Sequence, residues 1–353
     1  MSRPRLIIAC LNDPVQPPTS PLASLCNAVE SQLVCPASFR STQSVEKPWL
    51  VTGLSGDGSA RAIANAAISL AAPGCFLLTR DIALARLFLA SSLSSSFIFS
   101  PDPSTPLAEL KGFDFDQVGG KIARVVASSA VQHLFLTERL RYPADRVELI
   151  PEGVDETFFS PADSKRDLSR IIVPWFQGLD MQTLVQSGLR REGDVEIVVP
   201  PGQSLDGAGM KVVHATPEAR RDLLRKAGAV VIASSQQETS AGASSLLEAM
   251  ACGAPLVVSH SRGLEHLYIP DHEVLVYTLG DSQALRTQTH QLLSDEESAR
   301  NLSLHARRKV ETTLTNRHYA RRMARLLLPP RADQGPEFYL LPAHVRPLDE
   351  ILP

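Results

Sequence analysis

The residues of this chain best suited to chemistry are gathered in 238–253. Glu238 opens the run, Gly242, Ala243, Ser244 and Ser245 follow, and Glu248 comes next. The first half is small and polar and the second half is a strong helix former. Apolar, β-branched runs stand on either side, at 229–233 and 255–259. Small residues where a loop becomes a helix let a ligand approach the backbone. The free N–H groups and positive end of that helix suit phosphate oxygens. Glu248, about one turn in, has a carboxylate able to accept both hydroxyls of a ribose. The same residues have an ordinary reading as well: serine as N-cap, glutamate in water, Gly253 as C-cap. Chemistry alone leaves both open and slightly favours the ordinary one.

What must position these residues is a repeated strand–helix alternation. Short apolar runs recur at 6–10, 49–52, 75–79, 97–99, 124–127 and 147–150, and again at 171–173, 195–199, 211–213, 229–233, 255–259 and 273–277. Most are unbroken, as in strands buried on both faces. Helical spacing lies between many of them, for example at 59–71, 82–89, 129–139, 217–226, 244–251 and 281–293. This order predicts parallel sheets covered by helices. The strands are too many for one doubly wound sheet, and the polar stretch 159–169 reads as a linker. The expected architecture is α/β, with two Rossmann-like domains facing a cleft and ligands at the carboxyl ends of the strands. The boundaries expected are 1–160, 161–312, and a crossover helix with a Pro-rich tail over 313–353. A length of 353 residues suits two such domains.

Composition excludes several classes. Lys plus Arg is 35 against 38 Asp plus Glu, a net charge of −3, which argues against a general nucleic-acid partner. The cysteines, Cys10, Cys26, Cys35, Cys75 and Cys252, are scattered without metal-ligand spacing. No apolar run approaches a membrane span, and the run at 6–10 is too short for a signal peptide. A reducing cytoplasm is the expected compartment. The segment 317–328 is basic and amphipathic. It reads either as a crossover helix with its arginines in water, the preferred reading, or as a surface resting on anionic lipid at the inner face of a membrane.

Two motifs carry a family resemblance. Leu246-Leu247-Glu248-Ala249-Met250-Ala251-Cys252-Gly253-Ala254-Pro255 and the strand after it resemble the nucleotide-binding helix and strand of family-4, GT-B-fold, retaining glycosyltransferases. Val147-Glu148-Leu149-Ile150-Pro151-Glu152-Gly153-Val154-Asp155 is similar to the family's strand and interdomain turn. Ala127-Ser128-Ser129 and Thr79-Arg80-Asp81 resemble smaller landmarks, so the likeness covers roughly 75–328. The resemblance implies a nucleoside diphosphate sugar as donor substrate, no cofactor and no metal, with a glycan, lipid-linked or small-molecule acceptor. It places Glu248 on the ribose, residues 242–245 at the phosphates and Glu238 on the donor sugar.

Departures from the family pattern bear on activity. The family's two acids stand eight positions apart; here that position is Ser240, and Glu238 is ten before Glu248. After the strand at 171–173 the family has an arginine and a lysine that neutralise the diphosphate, where this chain has Trp175 and Gln177. A leaving diphosphate needs electrostatic stabilisation, so Arg190, Arg191 or Arg262 would have to substitute. The family's glycine-rich loop after the first strand is replaced by 12–20, its histidine after a strand by Asp102 or a plain turn there, and its later acid by His266. An active transferase is the preferred expectation. A catalytically inactive binding or assembly subunit comes second, and a nucleotide-sugar epimerase is the weakest.

Overall fold

The computed structural model describes residues 5–10, 21–29, 31–36, 50–54, 59–71, 75–92, 96–163 and 165–327. The loop at 12–20 and the Pro-rich tail lie outside the described residues. Two compact units divide the chain at Pro151/Glu152, and the chain from Asn316 returns to the first of them. The sequence pattern puts these divisions at 160/161 and 312/313.

The first unit runs β1 (Arg5–Ala9), α1 (Pro21–Ala28), β2 (Ser31–Pro36), β3 (Leu50–Leu54), α2 (Ala60–Leu70), β4 (Cys75–Thr79), α3 (Ile82–Ala90), β5 (Phe97–Phe99), α4 (Phe115–Val118), β6 (Ile122–Ala127), α5 (Ala130–Leu134) and β7 (Val147–Leu149). All strands pair in parallel in the order β3-β2-β1-β4-β5-β6-β7. Alternate residues of β1 enter opposite cores. Ile7 and Ala9 join Phe88, Phe97 and Phe113 on one face, and Leu6 and Ile8 join Leu22, Leu25 and Cys26 of α1 on the other. That second core also takes Tyr319, Ala320, Met323 and Leu327 of the last helix, Asn316–Leu327. The apolar stripe of the basic segment is therefore buried against α1 and the sheet. No helix among the described residues is long and apolar enough to cross a membrane.

The second unit runs β8 (Asp167–Pro174), α6 (Met181–Ser187), β9 (Asp194–Val199), β10 (Lys211–His214), α7 (Pro217–Lys226), β11 (Ala227–Ile232), α8 (Ala243–Ala251), β12 (Leu256–Ser259), β13 (Leu275–Tyr277), α9 (Ser282–Ser294) and α10 (Glu296–Thr313). Its parallel sheet has the order β10-β9-β8-β11-β12-β13. The order reverses between β8 and β11. Loops leaving the carboxyl ends of two such strands diverge, which opens the crevice where ligands bind in α/β sheets. The segments 175–180 and 233–242 leave β8 and β11 there. Both sheets bear out the expected pair of Rossmann-like domains.

Candidate functional site

The loop after β11 is joined to the loop after β12 by serine hydroxyls that satisfy backbone carbonyls. Ser261 Oγ donates to the Gln236 carbonyl at 2.9 Å, and Ser240 Oγ donates to that of Gly263 at 3.0 Å. The loop after β8 is tied to it: Asp180 N–H donates to Ala233 O at 2.8 Å, and Ser235 N–H to Gly178 O at 2.8 Å. These bonds hold the approach to α8 in one shape.

Gly242 is the N-cap of α8, with φ +91°, and it supplies no side-chain hydrogen bond. The ordinary reading of a serine cap is thus replaced by a glycine in the left-handed region, where a Cβ would be strained. Ala243 N–H goes to Ser240 O and Leu246 N–H to Gly242 O, each at 2.9 Å. The N–H groups of Ser244 and Ser245 have no acceptor among the described residues. Ala243 and Ser245 are buried, while Ser244 is exposed. Ser244 Oγ lies 3.4 Å from Glu152 Oε2. Glu238 is half-buried on the preceding loop.

Glu248 is one turn below Ser244 on the same helix face. It is not the solvated glutamate of the ordinary reading, being 9% exposed. Its Oε1 accepts from Arg220 Nη2 of α7 at 2.7 Å, and its Oε2 is buried with no hydrogen-bond partner among the described residues. Burial pushes this carboxyl up to about 7, against the opposing Arg220 guanidinium. The folded chain therefore holds this proton more tightly than the unfolded chain does. Between the ordinary value of 4.5 and about 7, raising the pH drains stability, and above that window the loss is complete. The loss is on the order of 3 kcal/mol at most. Urea midpoints at pH 5 and pH 8 should show this fall in the wild type and a flatter profile in Glu248→Gln. Equal slopes in the two proteins would refute it.

Two features of the site had no signal in the sequence. The first is Arg220, 28 residues from Glu248 in the chain. The second is Phe176. A Cβ placed on Gly242 would lie 3.0 Å from its Cζ, so the ring covers the N-cap of α8. Trp175 packs against the core of the unit instead.

Of the arginines considered as replacement cations, Arg190 and Arg191 lie in the turn between α6 and β9, at the amino end of the sheet. They are at the wrong end of the strands. Half-buried Arg262 follows β12 at the carboxyl end. His266 is fully buried in a short turn, Glu265–Leu267. In the first unit Asp102 closes a turn onto Ser104 N–H at 2.9 Å and pairs with Arg80 at 3.2 Å. Among the described residues no group of three His, Cys, Asp or Glu is placed to hold a metal ion.

Residues 211–327, which contain α7, α8 and the loop between β11 and α8, match the family model described as Glycosyl transferase-like. No curated protein matches the sequence. Solved structures share its fold across nearly the whole chain. A glycosyltransferase from Rickettsia africae superposes with a TM-score of 0.72 at 12% identity, covering 93% of this chain and 98% of its own. HepE of Anabaena, solved with UDP and glucose, gives 0.72 at 14% identity, covering 92% and 99%. Sucrose-phosphate synthase from Thermosynechococcus elongatus gives 0.70 at 16%, covering 92% and 98%. The chain thus has the two-Rossmann α/β fold of GT-B structures, and its residues 211–327 match a glycosyltransferase-like family model.

Proposed function

We propose that this chain is a retaining, family-4-type glycosyltransferase that moves a sugar, such as a hexose, from a nucleoside diphosphate sugar to an acceptor hydroxyl. The start of α8 carries the proposal. Two serine N–H groups without acceptors among the described residues stand one turn above a buried carboxylate, one oxygen of which has no partner among them, within the segment that matches the family model. Diphosphate oxygens satisfy the first pair and a ribose hydroxyl the second. Glu238 holds the donor sugar.

In the transfer, the acceptor oxygen forms a bond to the anomeric carbon. The bond from that carbon to the diphosphate oxygen breaks, and its electron pair leaves with the diphosphate, which also takes the hydroxyl proton. Charge growing on the leaving group is met by the α8 N–H groups and by Arg262. No metal ion enters this scheme. The acceptor is a glycan, a lipid-linked sugar or a small molecule, and the chain works in the cytoplasm. Lipid contact through the last helix is not part of the proposal, because its apolar stripe is already buried.

Titration calorimetry with UDP, GDP and ADP tests the donor site. One of the three should bind, and Glu248→Ala should weaken it roughly 10- to 100-fold, the worth of a charge-assisted hydrogen bond. No binding at millimolar concentration, or unchanged binding in the variant, would sink the reading.

A second reading, an inactive binding or assembly subunit, is favoured by the Phe176 ring over Gly242 where the resemblance implies cations. Sustained transfer by the purified chain removes it.

A further inference from the structure

The Glu248 carboxylate divides its two oxygens unequally. Oε1 is committed to Arg220 at 2.7 Å, whereas Oε2 is buried and has no hydrogen-bond partner among the described residues. The guanidinium lies over the Phe159 ring, 5.9 Å from its centroid, so an aromatic face sets its position as well as the carboxylate. Phe159 is itself fully buried. Both partners of the ion pair are mostly sequestered, with side chains 22% and 11% exposed.

Other charges surround this spot, but they are engaged elsewhere. Arg225 of α7 donates to Ser160, Arg166 to the carbonyls of Arg225, Ala227 and Gly253, and Arg307 of α10 to Glu156, Phe159 and Ala251. Cys252, the C-cap of α8, lies one turn beyond Glu248, and burial pushes its thiol up to about 12. Glu152 stands at Ser244. β11, on the other side of α8, carries no ionisable residue. Among the described residues Arg220 is therefore the cation that reaches the Glu248 carboxylate.

The geometry points to Arg220 as a positioning residue. It occupies one oxygen of the Glu248 carboxyl, so that the other is left as the acceptor for a hydroxyl of a bound nucleotide's ribose. This rests on the donor-site reading above. A purely architectural ion pair would stabilise the unit without tying nucleotide affinity to the protonation of Glu248.

The experiment uses the full chain, Arg220→Met and Arg220→Lys, each first shown to melt cooperatively. Carbon-13 NMR follows the Glu248 carboxyl through a pH titration, with Glu248→Gln identifying its signal. Calorimetry then measures UDP, GDP and ADP across the same pH range. In Arg220→Met the carboxyl should titrate at higher pH. Affinity at neutral pH should fall at least about tenfold, with its pH profile displaced in the same direction. Arg220→Lys should return the titration towards the wild type but recover only part of the affinity, because a point charge does not hold Oε1 as a planar fork does. Nucleotide binding whose strength and pH profile are indifferent to Arg220 overturns the proposal and leaves the donor reading standing. A carboxyl that responds to Arg220 in a wild-type protein that binds none of the three nucleotides overturns the donor reading, and the ligand role assigned to Arg220 with it.

Discussion

Replacing Arg307 by alanine is expected to cost the second unit about 3–5 kcal/mol and to lower its melting temperature by roughly 10 °C. The reason is a count of carbonyls. Nη1 of this α10 residue donates to Glu156 O at 3.1 Å, Phe159 O at 2.9 Å and Ala251 O at 2.6 Å, and Nη2 donates to Glu156 O at 3.1 Å. The Arg307 side chain is only 16% exposed, so water is poorly placed to take over. A buried carbonyl stripped of its donor costs about 1–3 kcal/mol. Ala251 ends α8, where helix carbonyls have no partner of their own and a cation also meets the negative end of the dipole. Arg166 does the same for Gly253. Arg307→Lys should recover less than half of the loss, since one ammonium cannot serve three carbonyls in a plane. Thermal and urea unfolding measure both variants, and a melting point within about 2 °C of the wild type for Arg307→Ala would count against this account.

Gly263→Ala is expected to be the most damaging single methyl in the site. A Cβ at this position would lie 1.9 Å from the Thr239 carbonyl oxygen, 2.3 Å from its carbon and 2.9 Å from Ser240 N. These are backbone atoms, so no rotamer change relieves the contact. They belong to the loop that Ser261 and Ser240 pin down through Gln236 O and Gly263 O. The loop must move, at a cost of about 3 kcal/mol or more. Because it leads directly into Gly242, the N–H groups at the start of α8 should move with it. Nucleoside diphosphate affinity is expected to fall at least about tenfold, the effect of losing one good hydrogen bond. Calorimetry and thermal unfolding report the two effects separately. Wild-type stability in this variant would mean that the loop has room the geometry does not show.

Both expectations concern the two ends of one helix. Arginines brought from distant segments close its last turn, and a glycine contact shapes the loop before its first. α8 is the element that the proposed donor site depends on, and little of its support is local in sequence.

Much of the architecture was legible in one dimension because burial on both faces demands unbroken apolar runs. The strands at Cys75–Thr79 and Phe97–Phe99 were read to the residue for that reason. β2, Ser31–Pro36, escaped, since Ser31, Gln32 and Pro36 interrupt its apolar pattern. The helix carrying Ser244 and Glu248 was equally legible, because loop-to-helix transitions are written in small residues followed by helix formers. The sequence by itself therefore determined the strand–helix alternation and the residues that open α8. Tertiary structure alone decided that Arg220 grips Glu248, that the Phe176 ring covers Gly242, and that Arg190 and Arg191 lie at the amino end of the sheet. Such pairings depend on how parallel strands order themselves and where their crossovers return, and a local pattern of residue types carries no record of either.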